Sequence, residues 1–497
     1  MNQNDVSLKT RSRFVRSVLV LCCLFLFATV FAVVLSRNWP QIAKKDLYAH
    51  DESVNSVVAA NVARKFWPAM VRVNPISEKV DIWMEGPYWQ HIPPLFAYAP
   101  WSFFKIDGHI TIEMKRLAYA MLLLLAGIIF ILSVYYFEKT YAALLAALVA
   151  AISLIVTPYT KQLMAGMVFG ASDIVLAFTV ICSFATLLWY LANPRDKRVE
   201  YSIKKLAFIS LIIVLPILTK NVLGAIPAAT YFAVLFYDHR KINSKTFASL
   251  LSICAIVFIY FVALFLSSPA TFRQEIFVSF AHTKDFEGWA RPWYIFFTNY
   301  LPRYYLRWFT PAFALSMLVG LLSLFKNKFQ GRTKIILILS ASWFFWNLLA
   351  VSAIKSKSPN FIFQTYLLSL FFAIYVPILL LLRHAPSLKI KFNIKKLELN
   401  FFLPLLVFLI ALFAYSWAHL FIKIHQTRAA SYSYNSEHKK FYQFAEIAQK
   451  DGANTRDLFI LNSSPDDCWF RYYILFLTGA EARTFDESET PPAKLVA

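Results

Sequence analysis

Long apolar runs recur along most of this chain, and most are 17 residues or longer, enough at 1.5 Å per residue to approach or cross a hydrocarbon core of about 30 Å. They fall at roughly 17–36, 117–137, 141–157, 172–192, 206–219, 221–237, 248–267, 309–325, 335–353, 360–382 and 402–421. The expected architecture is an all-α multispanning membrane protein with about eleven transmembrane helices. Composition agrees: 59% of residues are hydrophobic and 16% charged, which excludes a soluble enzyme. With 48 Phe, 25 Tyr and 13 Trp against 11 Gly, disordered and collagen-like classes fall as well. Cys22, Cys23, Cys182 and Cys254 sit in expected spans and Cys468 stands by itself in a polar segment, so neither a disulfide framework nor a CxxC metal site is implied.

Charge sets the orientation. With the N-terminus in the cytoplasm, the inner connections hold 22 Lys and Arg, whereas the short outer ones hold only Lys161, Lys220, Lys355 and Lys357. Short cytoplasmic loops retain Lys and Arg, so the outer faces point to the periplasm of a bacterial inner membrane protein. The formal net charge of +22 is therefore a topology signal rather than a nucleic-acid footprint. The first span follows Lys9, Arg11, Arg13 and Arg16, and its apolar run exceeds a usual signal-peptide core, so it reads as an uncleaved anchor.

Three outer segments are large: 37–116, 268–308 and 422–497. We divide the chain into a transmembrane domain, 1–421, whose first periplasmic loop (37–116) carries juxtamembrane helices, and a small periplasmic domain, 422–497. That tail alternates a helical pattern (437–450), a strand-like run (458–461), a second helix (469–477) and a short strand (482–485), the pattern of a small α/β appendage outside the membrane.

Polar residues at a membrane boundary need a reason, because apolar packing there carries no desolvation cost. Asp51 and Glu52 open a helix-like stretch; a carboxylate held there can take a proton from a hydroxyl as general base, or simply cap the helix. Glu85 and His91 flank the approach to the rigid Pro93-Pro94 turn, which can aim both at a phosphate or a divalent metal; the competing reading is an interfacial helix start. Lys220 lies at an outer hairpin between spans containing Pro216 and Pro227, and suits a lipid phosphate or a snorkelling role. Lys355 and Lys357 oppose the positive-inside trend and so ask for an anion. Arg291 and Tyr294 belong to a stretch where arginines and aromatics interleave, fit for a phosphate and a sugar face or for interface anchoring. Arg116 and Asp173 sit at outer span ends, where a buried ion pair is the structural alternative.

Taken in order, these segments resemble the membrane glycosyltransferases of the GT-C superfamily that use polyprenyl-phosphate sugars, the protein O-mannosyltransferase type and, more closely, the lipid A aminoarabinose transferase type. The resemblance covers roughly 14–385. It rests on Asp51-Glu52, Pro93 to Leu95, Arg116, Asp173, Thr219-Lys220, Arg291 to Tyr294 and Lys357 to Phe361. It implies inverting transfer of a sugar from a polyprenyl-phosphate donor to a hydroxyl of lipid A, a glycan or a protein, with membrane lipids as surroundings. Asp51 would be the base and Glu52 its fallback; Lys220, Arg291 and Lys357 would neutralise the phosphate leaving group. The sequence departs from the family at the proline turn, where His91-Ile92 replaces the usual Glu-Lys. No cofactor is certain, and a divalent metal stays open. Two other classes remain: an O-antigen ligase-like enzyme with a lipid-diphosphate donor, and a multispanning transporter, whose charges should lie nearer the bilayer midplane.

Overall fold

The protein, examined as a computed structural model, is described over residues 3–43, 50–65, 95–156, 171–220, 224–239, 244–267, 331–353, 399–429, 439–453, 458–461, 469–478 and 481–484, with isolated positions between 269 and 322. The helices are α1 (Gln3–Ile42), α2 (His50–Lys65), α3 (Leu95–Tyr98), α4 (Trp101–Asp107), α5 (Ile112–Glu138), α6 (Tyr141–Val156), α7 (Ala171–Leu191), α8 (Arg195–Val199), α9 (Ile203–Val214), α10 (Ile217–Lys220), α11 (Ile226–His239), α12 (Ser244–Ser267), α13 (Gly331–Ala353), α14 (Leu399–Ala429), α15 (Lys439–Lys450) and α16 (Trp469–Thr478). Strands β1 (Leu458–Leu461) and β2 (Glu481–Thr484) pair in parallel, Leu458 opposite Glu481.

Among the described residues, five helices are long and apolar enough to cross a membrane, within α1, α5, α7, α12 and α14. The expected spans at 309–325 and 360–382 lie outside the described residues, apart from Leu318 and Leu322. The expected span at 206–219 is interrupted. Pro216 has no N–H to donate and its ring obstructs the preceding turn, so α9 stops at Val214 and one further turn, α10, follows. At 12 residues α9 is about 18 Å long, short of a full crossing.

The core sits between α1, α5, α7 and α14. Along the α1 and α14 seam, Phe25 meets Phe413 edge to face at 5.2 Å and Phe31 stacks on Trp417 at 6.5 Å. Higher on the seam Ser36 Oγ lies 3.0 Å from His419 Nδ1, and Lys423 Nζ donates to the Ser36 carbonyl at 3.2 Å. Helix α5 approaches α1 closely at Gly127, where a Cβ would come within 2.2 Å of the Phe27 ring. Small residues permit such backbone approach where helix association depends on van der Waals packing. Large side chains such as Leu125, Phe258 and Phe408 remain exposed on outer faces, as lipid solvation requires.

The two ends of the bundle differ chemically. At one, Arg332 ties the last turns of α5 and α7 together, donating to Phe137 O at 2.6 Å and Ala192 O at 3.4 Å. Beside it Arg198 grips Asp238 in a fork, at 2.5 and 2.8 Å, and Tyr190 OH donates to the same carboxylate at 2.9 Å. Arg195 caps α11 by donating to the Asp238 carbonyl. This end coincides with the one assigned to the cytoplasm from sequence. The opposite end gathers the C-terminus of α1, the starts of α5 and α7, the end of α10, and α2 to α4.

Candidate active site

Asp173 lies in the first turn of α7, where the positive end of the helix dipole favours a carboxylate, and Lys220 closes α10, where a cation suits the negative end. The fold brings them into an ion pair across 47 positions of sequence, Lys220 Nζ on Asp173 Oδ1. The aspartate side chain is 2% exposed and the lysine's 18%, so the lysine is the more accessible partner. Lys220 is thus held in place by an acid, not merely snorkelling. Asp173 has this partner, whereas Arg116, fully buried, donates to the Ile42 carbonyl at the end of α1, 2.9 Å away.

Local chain geometry explains how Lys220 is placed. With the proline break, the carbonyl of Pro216 accepts from both Thr219 N, at 3.1 Å, and Lys220 N, at 3.0 Å. The buried Thr219 hydroxyl donates to Leu215 O at 2.9 Å, satisfying a carbonyl at the break. After residues 221–223 the backbone returns so closely that a Cβ on Gly224 would lie 2.0 Å from Pro216 O. Only glycine fits this approach.

Helix α2 lies across α3 from this pair. It starts at His50, which places Asp51 and Glu52 in its first turn, and it packs against α3, α4 and α16. Short helix α3 touches α2, α7 and α10 together, and so bridges the helix that begins with Asp51 to the Asp173–Lys220 pair. Three polar residues of α2 are buried: Asn55, Ser56 and Asn61. Lys115 Nζ donates to Ser56 Oγ at 2.5 Å, and Asn55 Oδ1 accepts no hydrogen bond among the described residues. Position 55 follows position 51 by one helical turn on the same face. The far end of α2 is locked by Arg64, which donates to Leu475 O and Phe476 O of α16 at 3.3 and 2.5 Å. Burial lowers the Arg64 pKa to about 10, which leaves it charged at neutral pH. Gln449 of α15 donates to Leu477 O at 3.1 Å, so the last turn of α16 is held from both sides.

Tyr294 is half-exposed, and its carbonyl accepts from Thr298. Glu85, His91, Arg291, Lys355 and Lys357 lie outside the described residues. No group of three or more His, Cys, Asp or Glu with metal-holding geometry occurs among the described residues. Sequence reasoning missed Gly224, Asn55 and the bridging role of α3; a glycine shortly after a proline break was the one local signal available.

No protein-family profile matches the chain, and no curated protein matches it by sequence. Among solved structures it is similar to ArnT from Cupriavidus metallidurans in the apo state, at 15% identity and TM-score 0.54 over 93% of this chain and 86% of that one. The same protein bound to undecaprenyl phosphate matches at 13% identity and TM-score 0.55 with equal coverage. The chain shares the fold of these two structures. The oligosaccharyltransferase from Archaeoglobus fulgidus in the apo form agrees at 12% identity and TM-score 0.52, over 92% of this chain and 64% of that one. The five long apolar helices fit a membrane protein.

Proposed function

We propose that this chain is an inverting membrane glycosyltransferase that moves a sugar from a polyprenyl-phosphate donor to a hydroxyl on lipid A, a glycan or a protein. The observation that carries the reading is the Asp173–Lys220 pair, which fixes an ammonium at one end of a GT-C bundle on a side chain that is 18% exposed. The ArnT structure bound to undecaprenyl phosphate supports a lipid phosphate as the ligand class.

In this reading the acceptor oxygen attacks the anomeric carbon from the face opposite the phosphate. The bond from that carbon to the phosphate oxygen breaks and its electron pair stays on the phosphate. Asp51 takes the hydroxyl proton, with Glu52 as the alternative base. The leaving phosphate gains charge as the bond breaks, so fixed cations aimed at it lower the barrier. Lys220 supplies one, and Arg291, Lys355 and Lys357 are proposed to supply the others. Arg116 instead fastens α1 to α5. We place the site on the periplasmic face of a bacterial inner membrane, with about eleven spans in 1–421, the N-terminus in the cytoplasm and 422–497 as a small periplasmic domain.

The test is transfer of labelled sugar from a panel of synthetic polyprenyl-monophosphate sugars to membrane acceptors, with matched amounts of folded wild type and Asp51→Asn. Transfer by wild type that falls by about 100-fold or more in the variant supports donor class and base together. Equal rates shift the base to Glu52. A wild type that transfers only from lipid diphosphates overturns the monophosphate assignment.

A further inference from the structure

A second polar cleft lies apart from the Asp173–Lys220 pair. It has a volume of about 370 Å³ and sits between the α4 to α5 turn and the C-terminal helices α15 and α16. Asp107, Glu113 and Glu446 line it, with His109 and Lys450. On a chain of net charge +22, three carboxylates facing one lysine and one histidine invert the local sign. Glu113 is the decisive residue: it is 6% exposed, lines the cleft, and receives no hydrogen bond or ion pair from any described side chain. The N-cap of α5 does not involve it, because the Thr111 hydroxyl serves the Met114 amide. The helix dipole favours a carboxylate in this first turn, and neither Glu113 oxygen is among the sealed-off polar atoms, so the carboxylate of this otherwise buried residue opens into the cleft.

The cleft sits at the end of a helix long enough to cross a bilayer, which suits headgroup depth. Helix α5, whose first turn forms one wall, is one of the helices long enough to span a bilayer. Helix α4, ending at Asp107, buries Phe104 but presents Trp101 at 37% and Ile106 at 86% exposure. An aromatic and an aliphatic side chain displayed beside Lys105 on a short helix match the boundary between hydrocarbon and headgroups. Ethanolamine and serine headgroups carry a cation with N–H donors next to a phosphate at that depth, and the extra carboxylate of serine is repelled by the acidic lining, which leaves the ethanolamine headgroup of a phospholipid.

We infer that this cleft binds the ethanolamine headgroup of a membrane phospholipid, its primary ammonium on Glu113 and its phosphate toward the exposed Lys450. Three N–H donors match the acidic lining, whereas a trimethylated choline headgroup offers none. The lipid would also join α5 to the C-terminal helices. The inference depends neither on the donor proposed above nor on which side of the membrane this end faces.

The full chain, purified in mild detergent and mixed with equimolar ethanolamine, choline and glycerol phospholipids, is read by native mass spectrometry for retained lipid. Wild type should retain the ethanolamine lipid about tenfold over the choline lipid, and Glu113→Gln should bring the two level. Stepwise N-methylation of the headgroup should lower retention in wild type progressively, an arm that requires no variant to fold. Equal retention of ethanolamine and choline lipids by wild type overturns the proposal, as does a preference that survives Glu113→Gln. Binding of free ethanolamine without any lipid preference overturns it too, because the cleft would then serve a soluble amine.

Discussion

Asp173 and Lys220 show how one pair couples stability to chemistry. Removing the ammonium takes an opposite charge away from a carboxylate that is 2% exposed. Breaking a buried pair from one side costs about 3–5 kcal/mol, and the 18% exposure of the lysine argues for the lower end, roughly 3 kcal/mol. Lys220→Met should therefore lower the melting temperature measurably in detergent and abolish sugar transfer. Asp173→Asn combined with Lys220→Met removes both charges, so stability should recover in part while transfer stays lost. Recovery of transfer in the double variant would show that Lys220 is only a structural partner. The pair was half legible in the sequence. Each residue stood out as a charge at an outer span end, but 47 positions separate them and nothing local assigns one to the other. Arg116 was equally visible, and only the fold reveals that it serves the last carbonyl of α1.

At the scale of elements, long helices were legible because their apolar runs exceed what any loop tolerates. Helices α5, α7 and α14 fall where hydropathy puts them, and the C-terminal helices and strands start within two residues of the expected positions. The break between α9 and α10 was not read, because hydropathy runs unbroken through Pro216 while hydrogen bonding does not. The close return of Gly224 onto Pro216 is a tertiary fact, hinted at locally only by a glycine that shortly follows a proline break. Two glycines separate its consequence from ordinary packing. Gly224→Ala puts a methyl group against backbone 2.0 Å away, so α10 must move and Lys220 with it. Transfer should fall by tenfold or more with about 1–3 kcal/mol of destabilisation. Gly127→Ala meets the Phe27 ring instead, on the α1 and α5 seam. It should cost a similar amount of stability with little change in transfer by the protein that remains folded. Equal effects on transfer per folded molecule would remove the positioning role of Gly224.

For the whole molecule, the arrangement is a bundle with two unlike ends, and their separation can be measured. Arg116, one turn inside the start of α5, and Phe137, in its last turn, lie 21 residues apart, about 32 Å along the axis. The Arg332 and Asp238 clamps occupy one end, while the Asp173–Lys220 pair and α2 to α4 occupy the other. The surplus of Lys and Arg in the expected inner loops predicts that the clamp end faces the cytoplasm, and the proposed reaction requires the opposite end to face out. Cysteine accessibility decides between the two orientations. In a background with the five native cysteines replaced, Ile106→Cys, at an 86% exposed position, should react with an impermeant maleimide in intact cells. Lys204→Cys, just inside the start of α9 at the clamp end, should react only after permeabilisation. The reverse pattern would put Lys220 on the cytoplasmic side, and a donor presented in the outer leaflet would then be out of its reach.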